Sequence, residues 1–213
     1  MKPFSADSLS VMPRLDDDKL VGGIANCKLD ENIARQVDDF AVNSSGKCTM
    51  TEQAYREALK LLKENGLDPL PVKCPSYEDI MRLEQRLNVQ LPNSYRTMLL
   101  ELGLLQVESI DIAGIGNSGL EGKNASNIVF ATEKDRAEGL ISGSMVRIGT
   151  SGYGPFYFID CGELDGRGEA PVWEAPGNGV SHGKDRIADS FDDFLLREVR
   201  NLIEGLNDET EGE

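Results

Sequence analysis

The spacing of apolar residues in this chain changes at Gly103 and again at Ser190, and those two changes limit the fold more than any other feature. Before Gly103, apolar side chains recur at three- and four-residue intervals, which places them on one face of a helix. Between the two points, short runs rich in Ile, Val, Phe and Tyr alternate with clusters of Gly, Asn, Asp and Ser, the pattern of strands joined by turns. After Ser190 the helical spacing returns. Helix, helix, several strands, helix predicts an α+β fold, an antiparallel sheet of about five to six strands packed by helices.

The helices have start and stop signals. Thr49-Met50-Thr51-Glu52 has the form of a capping box, Tyr55, Ala58, Leu59 and Leu62 follow on one face, and Asn65-Gly66 closes the segment. Ser76 caps a second helix, in which Tyr77, Ile80, Met81 and Leu87 share a face and Glu78 sits four residues before Arg82, up to a break at Asn88. Leu91-Pro92 opens a third, with Tyr95, Met98, Leu99 and Leu102 as its stripe and Gly103 as its stop. Residues 109–113, 127–131, 145–148, 155–161 and 170–174 read as strands, with a short helix at 133–140. Ser190 caps a last helix carrying Phe191, Phe194, Leu195, Val199 and Leu202 on one face. Near the amino end, residues 30–42 form a weaker helical pattern with Ile33, Val37 and Phe40, and residues 1–28 read as surface or partly disordered chain.

Pro69, Pro71 and Pro75 remove three amide donors within seven residues, which suits neither a helix nor a central strand. They set an expected boundary between a partly helical N-terminal extension, residues 1–74, and a principal domain, residues 75–206, followed by an acidic tail, residues 207–213. No fixed-period repeat is visible.

Formal net charge is −15, from 22 basic and 37 acidic residues. The principal domain holds 12 basic and 21 acidic residues, and residues 207–213 hold four acidic and no basic ones. Direct nucleic-acid binding is disfavoured, because phosphate neutralisation needs clustered Lys and Arg. An acidic domain attracts basic partners, although many acidic proteins carry such charge for solubility alone. No apolar run approaches the roughly 20 residues that span a bilayer, and the amino end lacks a secretory pattern, so no membrane association is expected. Cys27, Cys48, Cys74 and Cys161 are scattered, as in a chain of a reducing compartment, and a cytoplasmic location is expected. They have no Cys-x-x-Cys spacing, and His182 is the only histidine, so neither a zinc site nor any other cofactor is expected.

Candidate chemistry fails on context. Gly114-Ile115-Gly116-Asn117-Ser118-Gly119 matches G-x-G-x-x-G after an expected strand, but no helical stripe follows to offer amides to a pyrophosphate; a glycine-rich connection is the better reading. Gly149-Thr150-Ser151-Gly152-Tyr153 breaks the G-x-S-x-G elbow at Tyr153. His182 lies among glycines that hold an imidazole poorly and reads as a solvated loop residue. The carboxylate pairs Asp192 with Asp193 and Glu163 with Asp165 sit on solvent faces or turns, whereas acid–base catalysis needs one carboxyl in an apolar pocket. Phe156 and Phe158 alternate into a core, while Tyr153, Tyr157 and Trp173 are candidates to face outward, where aromatics beside carboxylates suit a protein interface.

Residues 76–196 resemble the SUKH superfamily, related to the fungal Smi/Knr cell-wall assembly regulator. The resemblance rests on Ile80-Met81-Arg82-Leu83-Glu84, Leu91-Pro92-Asn93-Ser94-Tyr95-Arg96 and Leu99 to Gly103. It continues through Val146-Arg147-Ile148-Gly149-Thr150-Ser151-Gly152, Tyr157-Phe158-Ile159-Asp160, Ala170-Pro171-Val172 and Ile187-Ala188-Asp189-Ser190-Phe191-Asp192-Asp193-Phe194-Leu195. It implies an α+β fold without shared catalytic residues and, for bacterial members, a role as immunity proteins that bind and neutralise toxins, many of them nucleases. Fungal relatives are regulators and interaction scaffolds. The expectation is therefore a non-catalytic protein that occludes a basic toxin domain, with Asp160, Glu163, Asp165 and Trp173 as partner-binding residues. The alternative is a regulatory or scaffold domain with a host protein partner. An enzyme ranks last.

Overall fold

A computed structural model describes residues 50–151 and 154–211. The expected helix at 30–42 and the side chain of Tyr153 lie outside the described residues. Helices α1 (Met50–Glu64), α2 (Tyr77–Leu87) and α3 (Asn93–Leu102) come first. Strands β1 (Leu105–Val107) and β2 (Ile110–Ile112), helix α4 (Ile128–Ala137) and strands β3 (Met145–Thr150), β4 (Phe156–Asp160), β5 (Val172–Ala175) and β6 (Asp185–Ala188) follow, and α5 (Phe191–Glu211) closes the order. All six strands form one antiparallel sheet in chain order, a meander. The α+β architecture is the one expected.

The helix ends follow their capping chemistry. Ser76 and Asp79 form a reciprocal capping box on α2, which ends at Asn88 in a left-handed conformation (φ 53°). Gly103 stops α3 at φ 75°, and a Cβ there would lie 2.8 Å from the Ile115 carbonyl oxygen, so only glycine fits. The Pro92 end of α3 has no side-chain cap of its own. A distant loop supplies one: the Asn93 amide donates to the Gly168 carbonyl at 3.0 Å and the Ser94 amide to Glu169 at 3.0 Å.

One element differs from expectation. Residues 127–131, read as a strand, are the cap and first turn of α4, which ends at Ala137 rather than Leu140. The apolar run Ile128-Val129-Phe130-Ala131 is too short for its periodicity to separate a strand from a buried helical turn. Asn127 decides the matter, because its side chain accepts from the Phe130 amide. At the other end Gly139 (φ 71°) and Leu140 donate to the Arg136 and Asp135 carbonyls, a Schellman closure. Strands β1 and β6 join those expected.

One face of the sheet, with Val146, Ile148, Ile159 and Val172, packs under the helices in a single buried cluster. Helix α1 lies on the amino side of the boundary set at residue 75, and its Tyr55, Ala58 and Leu62 are in this same cluster with Phe191, Phe194, Leu195 and Val199 of α5. Tyr157, considered for an outward position, is half-buried and packs edge-on against Phe194 at 5.0 Å. On the opposite face a smaller cluster joins Ile141, Met145, Phe158 and Ala175, with Phe156 and Val180 at its margin. Phe156 and Phe158 thus both serve a core, that of the smaller layer.

Helix α4 covers the part of β3 that β2 leaves unpaired. Thr132 accepts from the Arg147 amide, Arg147 pairs with Asp135 at 2.7 Å, and its guanidinium stacks on Phe156 at 3.5 Å. Arg136 donates to the carbonyls of Leu87 and Met145, linking α2, α4 and β3.

Candidate functional site

The side chains expected to touch a partner divide into two places. Asp160 ends β4 and Trp173 sits on β5, one strand away; Phe158 is the direct cross-strand partner of Trp173, so Asp160 and Trp173 share a face of the sheet. Glu163 follows in the 3₁₀ turn Cys161–Glu163. Lys184, just before β6, brings these three together: its ammonium lies 3.9 Å from the centre of the Trp173 ring, 3.6 Å from the Asp160 carboxylate and 4.0 Å from that of Glu163. A cation over an indole face contributes about 0.5–2 kcal/mol depending on desolvation.

Asp160 is 7% exposed, and its carboxylate accepts from the Ser144 hydroxyl at 2.8 Å and from the Gly162 amide at 3.1 Å. It caps the turn that carries Glu163. Glu163 is exposed and Trp173 half-buried, with its indole Nε1 enclosed and without a hydrogen-bond partner among the described residues.

Asp165 belongs to a different feature. It accepts from the amides of Arg167 and Glu169 and pairs with the Arg167 guanidinium at 2.8 Å, folding the turn that delivers Glu169 to α3. The Glu169 amide first, with Arg167 beside it, holds the Asp165 carboxyl below its ordinary range.

Glu169 has a property that acid–base chemistry requires, since burial pushes its pKa up to about 7. Its oxygens are occupied by the Ser94 amide and hydroxyl, and it is 1% exposed. Nearby Asp192 is also buried and raised by desolvation, and it accepts from the Ser190 hydroxyl at the start of α5. Both carboxyls are spent on helix ends.

A cavity of about 450 Å³ opens elsewhere, beside β1, lined by Val72, Leu104, Gln106, Asn117, Ser126 and Asn127 among others. None of its lining residues is charged. Gly116 of the G-x-G-x-x-G stretch borders it, and Gly114 serves close backbone approach: a Cβ there would lie 1.9 Å from the Gly103 carbonyl oxygen. Only a 3₁₀ turn, Gly119–Glu121, follows them. His182 is exposed in the turn Val180–His182, where the neighbouring Ser181 hydroxyl is 3.1 Å from its Nδ1, and the Ser151 hydroxyl donates to the Pro155 carbonyl. Among the described residues no group of three His, Cys, Asp or Glu side chains is placed to hold a metal ion, and no helix is long and apolar enough to cross a membrane.

Sequence reasoning singled out Asp160, Glu163 and Trp173 as candidates but not Lys184, because the contact that brings the three together forms between strands. The glycine before Lys184 and the aspartate after it give no local signal of an aromatic partner eleven residues upstream.

The six-stranded meander with its helical layer on one face defines an α+β domain, which carries the cluster of Lys184, Trp173, Asp160 and Glu163 around the ends of β4 to β6. The SUKH_5 family model, described as SMI1-KNR4 cell-wall, matches residues 55–200, more than half of the 213-residue chain, and the chain belongs to this family. The match begins within α1, in keeping with the place of Tyr55, Ala58 and Leu62 in the shared core. No curated protein matches the chain.

Proposed function

We propose that this chain is a non-catalytic, cytoplasmic binding protein, an immunity protein that neutralises a basic toxin domain by covering it. Membership of the SUKH family is the observation that carries the reading, because bacterial members commonly act in this way. The charge of the chain supports it: a net −15 steers a basic partner toward the domain and repels nucleic acid. Glu163 and Trp173, with Asp160 behind them, are the favoured contact residues; Asp165, held in its turn by Arg167, is a secondary one. The buried carboxyls with raised pKa values cap helices, which favours a binding role over an enzymatic one.

The family description as cell-wall favours a second reading, a regulatory or scaffold domain with a host protein partner. A pull-down with the tagged full-length chain, at low and then moderate salt, separates the two. Recovery of a basic toxin domain that is released as salt rises supports the immunity reading. Retention of only envelope-assembly or housekeeping proteins overturns it in favour of the scaffold.

A further inference from the structure

We infer that Lys184 occupies, from within the chain, a receptor for a lysine or arginine side chain of a basic partner, and that the partner's cation takes its place on Trp173 between Asp160 and Glu163. This rests on the reading that the chain binds a basic protein.

Three observations carry it. First, groups from the end of β4, the following 3₁₀ turn and β5 converge on a single ammonium, which has an indole face and two carboxylates within 4.0 Å. That is the chemistry by which proteins recognise organic cations. Second, two of the three walls are held by groups other than the occupant. Asp160 is fixed by the Ser144 hydroxyl and the Gly162 amide, and Trp173 by its strand pairing with Phe158 and Arg186. These contacts do not involve the Lys184 side chain. Third, the occupant is held loosely. Its carboxylate distances of 3.6 and 4.0 Å exceed hydrogen-bond length, and it follows Gly183, which has a φ of 121° and open space where a side chain would stand. The other nearby cation, Arg186, is engaged by Asp189 at 2.8 Å.

Lys184 then works as a competitor. It fills the receptor in the free protein and raises the threshold for casual cations, so that only a partner with further contacts displaces it.

The test uses the full-length chain and a synthetic peptide of alternating glycine and lysine, with its lysine-acetylated counterpart as control, at low salt. Trp173 is the only tryptophan in the chain, so its emission reads the site directly, and calorimetry gives the affinity. Lys184→Ala and, as a second variant, Lys184→Gln are expected to bind the peptide about tenfold more tightly than the parent chain, with a change in Trp173 emission. Adding Glu163→Gln to either should remove most of the gain, whereas adding Asp165→Asn should not. Unchanged or weaker binding by both variants overturns the inference, as does tighter binding that leaves Trp173 emission untouched. Because the peptide titration needs no toxin, a failed pull-down with a successful titration removes the immunity reading and keeps the receptor. The reverse pair removes the receptor alone.

Discussion

Glu169 reaches across 75 positions of chain to accept from the amide and hydroxyl of Ser94, capping the first turn of α3 from a loop between β4 and β5. The helix has proline at its cap position and no side-chain cap of its own, so this long-range contact is what satisfies its amino end. The arrangement buries an ionisable group, and stability therefore depends on pH.

Burial raises the Glu169 pKa to about 7 from an ordinary 4.5, so between those values the folded chain keeps a proton that the unfolded chain has lost. The associated stability is fully present below pH 4.5 and declines as pH rises through 7. Asp192, also raised by burial, acts in the same direction. Urea midpoints measured from pH 5 to pH 8 should fall for the parent chain and fall less for Glu169→Gln, which keeps an acceptor for the Ser94 amide. An identical slope in the two proteins would contradict the assignment.

Arg147 and Asp135 form the most enclosed ion pair among the described residues, with side chains 12% and 5% exposed. Replacing Arg147 by Met strands a buried carboxylate and removes the stacking on Phe156, at an expected cost of about 3–5 kcal/mol. The double change Arg147→Met with Asp135→Asn should recover a measurable part of that loss in urea denaturation. No recovery would mean that the ion pair is not the source.

Gly114→Ala places a Cβ where the Gly103 carbonyl oxygen sits, so backbone must move, and a loss of roughly 1–3 kcal/mol is expected. Gly143→Ala, with open space around the new carbon, should change the melting temperature little. Equal melting temperatures for the two variants would refute the close-approach account of the glycine-rich stretch.

Cys161 is buried, and its thiol is pushed up to about 12 by burial first and by neighbouring Asp160 second. It should resist iodoacetamide at pH 8 in the native protein and react after unfolding. Peptide mapping of the labelled chain distinguishes the two states; native-state labelling would show that the thiol is accessible.

Much of the architecture was legible because local chemistry and tertiary structure agree. The stripes of α1, α3 and α5 face the core where spacing placed them, whereas on α2 Ile80 and Leu87 are buried with Leu83 while Tyr77 and Met81, expected on the same face, are exposed; Ser76, Asn88 and Gly103 end their helices as their residue types suggest, and the runs that became β2 to β5 have strand composition, with the run 127–131 as the exception. Strands β1 and β6 escaped notice for identifiable reasons. The turn between β1 and β2 uses Glu108 at φ 48°, where glycine or asparagine would have announced it. Strand β6, Asp185-Arg186-Ile187-Ala188, lies at the sheet edge and carries exposed charge there, which masks the alternation expected of a half-buried strand.

The sequence by itself determined the α+β class, the order of most elements and many side chains of the core, since those depend on periodicity and on residues within one turn of each other. Tertiary structure alone decided which carboxylates are accessible and which are consumed. Asp160, Asp165 and Glu169 are alike as residue types, yet one helps hold an ammonium over Trp173, one folds a turn and one caps a helix. Their partners include Ser144, Lys184 and Ser94, which come from other elements, and the ionisation and exposure of a carboxylate are set by the groups that surround it in space.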